Sequence, residues 1–413
     1  MSEWKEEEIG KIPEDAILME LGNCIDLIID YRGKTPKKLD SDWTSEGIRT
    51  ISAKNVHKGK LTNIEDIRYV TYDVYKKWMK EDLKKGDCLV ASEGATLGEH
   101  LYWDFDFPVV LGQRLFCIRT NPKIIDSKYF YAFVTSNYFQ NQIHGRASGT
   151  SVFGLRQTEV LKMLVPIIPI ERQIPIGEFH YTVNKKIELL ERQNATLEAM
   201  AETLFRQWFV EEAKEDWEEG TLEQLVETAN TGLDAIRRAP IVEEETGIKC
   251  LRIQDISQDK PFQKWGNSKV TSNDFDKARL RKGDIIMART CSPGIVFYAR
   301  EDINAVFNNG LARIRPNLKK TYSIFLYYLF KTEDFIGHIY GISDGTSVQL
   351  NMKLGDLLSY KIQFPPKEIQ DRHFPIFQDI DNRLLKNKTQ IRTLTSLRDT
   401  LLPKLMSGEV RIN

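Results

Sequence analysis

Five cysteines and six histidines are the side chains of this 413-residue chain that would first be suspected of metal or thiol chemistry. Cys24, Cys88, Cys117, Cys250 and Cys291 are scattered without a C-x-x-C pair, and the histidines complete no metal-ligand spacing. They read as reduced, mostly buried thiols of a cytoplasmic protein. Asp87 in "KKGD" and Asp284 in "RKGD" offer carboxylates for acid–base work, but a carboxylate directly after glycine is the signature of a turn. The chain has no G-x-x-x-x-G-K-[ST] loop, no G-x-G-x-x-G after a strand and no H-E-x-x-H. "FPPKE" has the prolines of an amino-methyltransferase box but the wrong neighbours. The sequence therefore predicts a binding or scaffolding protein rather than an enzyme, with no metal site and no cofactor of its own.

The elements that carry these side chains are repeated along the chain. Gly-Thr-Ser-Val occurs in "SGTSVFGL" from Ser148 and in "DGTSVQL" from Asp344. Around it, "GIRTISAKNV" from Gly47 matches "GIKCLRIQDI" from Gly247, and "LKKGDCLVAS" from Leu83 matches "LRKGDIIMAR" from Leu280. "LFCIRTN" from Leu115 matches "LARIRPN" from Leu311, and "SKYFYAFV" from Ser127 matches "SIFLYYLF" from Ser323. The offset stays at about 200 residues, the size of a whole domain and far beyond a solenoid period.

With 41% hydrophobic residues, each copy has enough apolar surface for its own core. A formal net charge of -1 gives no sign of a polyanion partner, so any nucleic-acid surface must be local. "MSEWKEEEIG" is acidic and lacks an apolar h-region, and no window approaches about 18 continuous apolar residues. Neither secretion nor membrane insertion is expected.

Each copy opens with short β-rich runs and Gly-punctuated turns, which predict an α+β domain. It then passes through proline in "VPIIPIERQ" or "KIQFPPKEIQ" into a charged, periodic segment. Proline followed by glutamate is a helix-start signal. The first helix is expected to run without Gly or Pro from Glu178 towards Trp217, and the second from about Ile376 to Leu402, before Pro403. Apolar residues alternate by three and four. The first seam is Val183, Ile187, Leu190, Asn194, Leu197, Ala201, Leu204 and Trp208; the second is Phe377, Ile380, Leu384, Asn387, Ile391, Leu394, Arg398, Leu401 and Leu405. This is an a/d seam with one asparagine in each helix. A buried asparagine needs a polar partner, so antiparallel helices with Asn194 facing Asn387 are predicted, Arg398 and His373 being the poorly matched outer layers. A coil of roughly 37 residues would be about 55 Å long and place two domains at its ends like a dumb-bell. The expected fold is α+β, with two similar α/β-mixed domains joined by two long antiparallel helices in an intramolecular, pseudo-twofold coiled coil. The expected boundaries are 1–170, 171–213, 214–366 and 367–413.

The duplicated unit, its Gly-Thr-Ser, the "IRTISAKNV" and "KKGD" landmarks, "PIIPIERQ" before a long helix and the ending "LRDTLLPKLMSGEV" closely resemble the specificity (S) subunits of Type I restriction-modification enzymes. The resemblance covers almost the entire chain. It implies two target recognition domains that each read half of a split, asymmetric site on double-stranded DNA. It also implies helices that space the domains and dock two adenine methyltransferase (M) subunits, with restriction (R) subunits joining the complex. S-adenosylmethionine, ATP and magnesium would be bound by those partners. A free-standing DNA-binding or coiled-coil adaptor protein is the competing class.

Under that resemblance the basic stretch "DYRGKTPKK" offers Arg32, Lys34, Lys37 and Lys38 to phosphates, and its counterpart "NTGLDAIRR" offers Arg237 and Arg238. Lys54 and Asn55 in one copy, and Arg252 and Gln254 in the other, suit base edges, since Lys or Arg matches guanine and Asn or Gln matches adenine. Gln113 and Arg114 in "LGQRLF" are set against Asn308 and Asn309 in "FNNGLA", and Arg289 stands where the other copy has Ser92. Arg146, Ser151, Arg156 and Lys353 flank the repeated Gly-Thr-Ser, which reads as a shared structural turn. Phe205, Trp208 and Phe209 are expected either on the outer helix face for a partner or against the neighbouring domain.

Overall fold

The structure is a computed structural model that describes residues 4–149, 153–343 and 351–412. The repeated Gly-Thr-Ser-Val turns fall largely outside these residues, as does Ser151; Gly149 lies within them at φ +144°. The chain divides into two compact units, residues 1–189 with 391–413 and residues 190–390.

In the first unit an antiparallel sheet has the order His100–Tyr102, Cys88–Ala91, Leu115–Thr120, Ile25–Asp30. A smaller mixed sheet pairs Ile48–Ile51 in parallel with Val109–Leu111 and antiparallel with Arg68–Val70. The second unit repeats the plan. Val226–Thr231, Leu311–Pro316, Ile285–Ala288 and Val296–Tyr298 make the antiparallel sheet. Lys249–Leu251 lies parallel to Ala305–Phe307 and antiparallel to Gly266–Ser268. A two-stranded ribbon leads into each long helix: Leu164–Ile167 pairs with Ile17–Glu20, and Lys361–Phe364 with Glu218–Thr221.

The two KGD turns sit at the start of the central strands and are structural. Asp87 caps the backbone N–H of Lys84 at 2.8 Å and binds Arg119 through Nε and Nη2, each at 2.8 Å. Asp284 caps Arg281 N–H at 2.9 Å and holds Arg315 Nε at 2.6 Å. Both carboxylates are 1% exposed, so each must be paired, and each is. Cys24, Cys88, Cys117 and Cys250 are buried, which raises their thiol pKa values, that of Cys24 to about 11; Cys291 is exposed. No group of His, Cys, Asp and Glu among the described residues could hold a metal ion, and no helix there is long and apolar enough to cross a membrane.

The long helices are Ile170–Arg206, followed by a π-turn at Gln207–Glu211, and Lys367–Ser407. They begin directly after Pro169 and Pro366, whose carbonyls accept from Gln173 and Gln370 at 3.2 Å. Both run further than the proline rule allows: Pro175, Pro375 and Pro403 lie inside them. Each proline removes one backbone bond, but neighbours such as Ile176, Phe377, Leu402 and Leu405 are buried in cores, and that tertiary packing outweighs the local loss. Gly177 lets the first helix approach the start of helix Ser127–Thr135 closely, since a Cβ there would lie 2.5 Å from Tyr129 N. One buried glutamine anchors each helix start. Gln173 donates to Ile124 O and Ile168 O and accepts from Asp126 N–H. Gln370 donates to Lys320 O and Pro365 O and accepts from Thr321 Oγ1.

Each unit contains the beginning of one long helix and the end of the other. In the second unit these run antiparallel: Asn387 Nδ2 donates to Asn194 Oδ1 at 3.0 Å, Phe205 meets Phe377 at 6.4 Å between ring centroids, and Trp208 meets His373 at 4.2 Å. In the first, Arg398 Nη1 donates to Asn184 Oδ1 at 2.7 Å. The poorly matched layers are thus resolved by a polar bond in one unit and by a close, tilted ring contact in the other. Beside Arg398 lies His180, fully buried against the Tyr131 ring; burial, with the Arg398 charge adding to it, pushes its pKa down to about 3.

Phe205 and Phe209 are not on an outer face. They are buried in the core of the second unit with Phe325, Tyr328 and Phe377, and Trp208 packs partly buried beside them. Leu402, Leu405 and Met406, at the end of the second helix, fill the matching place in the core of the first. These aromatics complete a domain because an unfilled helix end would leave a large apolar cavity.

Candidate functional site

The loops at the end of each central strand gather into a tip. In the first unit, Ser92 N–H donates to Arg114 O at 2.9 Å and Leu155 N–H to Ser92 O at 2.7 Å. Gly112 N–H donates to Ile51 O and Ala53 N–H to Gln113 O. The turn at Gln113 and Arg114 is thereby clamped between the Ser52–Asn55 loop and the Ser92–Gly94 loop. Gly94 N–H donates to Phe153 O, and Glu93 bridges to Gly154, which brings in the segment after the Gly-Thr-Ser turn. Gln113 and Arg114 are exposed at this tip, and Phe153 is 60% exposed beside them. Arg114 Nε lies 3.0 Å from Glu93 Oε1.

The second unit makes the same clamp from different residues. Arg289 N–H donates to Gly310 O, Met352 N–H to Arg289 O, and Asn308 N–H to Leu251 O. Arg289 therefore occupies the place of Ser92, as the sequence comparison has it. Gln113, however, corresponds to Asn309 and Arg114 to Gly310, one residue away from the expected pairing with Asn308 and Asn309. The backbone bonds decide the alignment where the local sequences differ. Arg289 lays its guanidinium over the turn, with Nε 3.2 Å from Met352 O and Nη1 3.2 Å from Asn309 O. Asn309 is exposed, and Asn308 is half-buried with its Oδ1 buried and without a partner among the described residues. Asn309 N–H donates to Leu233 O, which ties in the loop carrying Ile236, 83% exposed, and the exposed Arg237.

Several other candidates are spent on the fold. Arg32 is bound through Nη2 to Asp30 at 2.7 Å and through Nη1 to Leu155 O at 3.0 Å, over the Phe116 ring. Lys34 donates to Trp78 O at 2.7 Å beside the Tyr31 ring, and burial lowers its pKa. Asn55 is fully buried, closing a capping box with Ser52 and donating to Thr62 O and Asn63 O. It cannot turn out to a base without leaving those groups unpaired. Arg252 is the N-cap of a short helix, tied to buried Asp255 at 3.0 Å in the equivalent box. Arg238 is paired with Asp274. Arg146 is half-buried, 3.6 Å from Glu159.

The remaining candidates reach solvent. Lys37 and Lys38 are exposed on the 3-10 turn Pro36–Leu39, Lys54 is exposed with Nζ 3.2 Å from Asp66 O, and Gln254 is exposed. Arg156 and Lys353 hold the same N-cap position of matching short helices. Glu93, Phe153 and Ile236 are tip residues that motif reading passed over. The signal for Glu93 was a repeat comparison extended one residue past Ser92, where glutamate faces Thr290 in the other copy.

The sequence profile described as Type I restriction modification DNA specificity domain matches this chain twice, over residues 14–199 and 214–394. The chain is 25% identical to the "Type I restriction enzyme MjaIX specificity subunit" of Methanocaldococcus jannaschii over 100% of its length and 97% of that protein's. It is also 25% identical to the MjaVIII specificity subunit of the same organism, over 47% of this chain and 45% of that one. Its fold is similar to the crystal structure of a Type-I restriction-modification system S subunit from M. genitalium, with a TM-score of 0.64 at 18% identity, covering 95% of this chain and 96% of that one.

Proposed function

The chain belongs to the Type I restriction-modification DNA specificity family, and from that premise we propose that it selects the DNA sequence on which a Type I complex acts. Each recognition domain, residues 1–170 and 214–366, reads one half of a split site on double-stranded DNA. The long-helix segments, 171–213 and 367–413, set the spacing. The observation that carries this reading is one clamp built twice with different tips. An identical pair of tips would suit a palindrome; diverged tips suit an asymmetric site.

In the first half-site Gln113 and Arg114 contact base edges, and Lys37, Lys38, Lys54 and Arg156 neutralise phosphates. In the second Arg289, Asn308 and Asn309 read bases, with Gln254, Arg237 and Lys353 in support. The chain performs no chemistry and works in the cytoplasm. Two adenine methyltransferase subunits dock on its helices, where Leu189, Met200, Ile376 and Leu397 are at least 40% exposed, and restriction subunits join through the complex. S-adenosylmethionine, ATP and magnesium are bound by those partners.

The test is co-expression with its cognate Type I adenine methyltransferase subunit, followed by mapping of N6-methyladenine across the host DNA. A split, asymmetric motif that disappears without this chain is expected. Methylation that is unchanged by its removal, in a complex that nevertheless forms, would overturn the reading.

A further inference from the structure

Arg114 holds φ +65°, a left-handed conformation that side chains other than glycine adopt at a cost, and the equivalent residue of the second unit is Gly310. The clamp requires neither arginine nor a left-handed residue here, because the second unit closes it on Gly310 outside the left-handed region. The strain accompanies a side chain that packs into no core: Arg114 is 54% exposed, and its ionic partner among the described residues is Glu93, at 3.0 Å and 33% exposed. That partner is itself unexpected. A carboxylate at a DNA-facing tip repels phosphates, so its presence lowers affinity for DNA in general.

The two observations fit together in one chemistry. Glu93 Oε1 lies 3.0 Å from Arg114 Nε, and the two Nη groups of a guanidinium form a planar fork of donors. A fork of two N–H donors matches guanine O6 and N7, and a carboxylate oxygen beside it accepts from cytosine N4. Glu93 Oε2 makes no hydrogen bond among the described residues, and the side chain is 33% exposed. We propose that the Arg114–Glu93 pair is a specificity-determining unit that reads a single G·C base pair, Arg114 on guanine and Glu93 on cytosine. This rests on the DNA-selecting function proposed above and assigns one position of one half-site.

The second unit lacks this pair. Thr290 replaces Glu93 and Gly310 replaces Arg114, while Arg289 reaches the turn from the neighbouring strand end and is held by two backbone carbonyls. It brings donors to the turn with Thr290 in the place of the glutamate, so the arginine–glutamate pair as built belongs to the first half-site.

The experiment compares methylation motifs written by the complete complex containing wild-type chain, Arg114→Gly or Glu93→Gln. In wild type, one half-site contains a required G·C pair. In each variant the preference at that position, measured as the ratio of methylation at G·C sites to sites with the other pairs, falls by roughly tenfold or more. The other half-site is unchanged, and Arg114→Gly melts no lower than wild type because glycine suits the φ angle. If Arg114→Gly abolishes methylation altogether, Glu93→Gln decides, since it keeps a hydrogen-bonding partner for Arg114 while removing the charge. Full retention of the half-site by Glu93→Gln, or relaxation at an A·T pair, overturns the assignment. A wild-type map with no motif dependent on this chain overturns the parent reading as well, so the two failures are told apart.

Discussion

The two units make equivalent interactions where the fold is built and present different side chains where it meets solvent. Asp87 with Arg119 and Asp284 with Arg315 hold the central strands, and Gln173 and Gln370 hold the helix starts. Ser52 with Asn55 and Arg252 with Asp255 close the same small loop by a capping box. At the tips, by contrast, Ser92, Glu93 and Arg114 face Arg289, Thr290 and Gly310. A duplicated domain is free to change what it touches as long as its buried polar groups keep their partners. The matching pairs of the two copies therefore mark the frame, and the mismatched ones mark the surface proposed to select the site.

The largest test of this comparison removes the frame. Asp87→Ala and Asp284→Ala should each lower stability by about 3 kcal/mol or more, because each leaves a partly buried guanidinium without its carboxylate. Denaturant unfolding of the full chain measures it. Similar losses in the two units are expected, and a unit that tolerated the change would break the equivalence.

A smaller effect is expected in the helices. Asn194→Leu combined with Asn387→Leu exchanges a part-buried amide pair for an apolar layer and should stabilise the chain by about 1 kcal/mol while loosening the register. Cysteine pairs placed one heptad out of register should then crosslink in the double variant and not in wild type. Crosslinking in both would show that the asparagines do not set the alignment.

The smallest effect at neutral pH concerns a difference between the units. His180 is buried in the first, whereas the matching helix position in the second is Phe377, also buried. The folded-state pKa of His180 near 3 lies below its unfolded value of about 6.5. The unfolded chain therefore binds the extra proton in this window, so the stability His180 contributes is complete above about pH 6.5 and is lost as pH falls towards 3. His180→Phe should flatten the decline in unfolding midpoint between pH 7 and pH 4. An unchanged slope would place the acid sensitivity in other groups, such as His100, whose pKa burial also lowers.

The duplication, the α+β halves, the a/d seam and the meeting of Asn194 with Asn387 were legible in the chain itself, because repetition and helical period are properties of order along the sequence. The helix ends were less so: the local cost of Pro175, Pro375 and Pro403 argues for breaks that core packing overrides. What the sequence could not determine was which polar side chains are left over for DNA. Arg32, Lys34 and Asn55 have the composition of a contact surface, yet Arg32 is committed to a carbonyl 123 residues away and Lys34 to one 44 residues away. Arg114 and Glu93 are joined only because two strand ends close on the same turn. A donor's availability depends on which groups the fold brings beside it, and that is settled by tertiary structure alone.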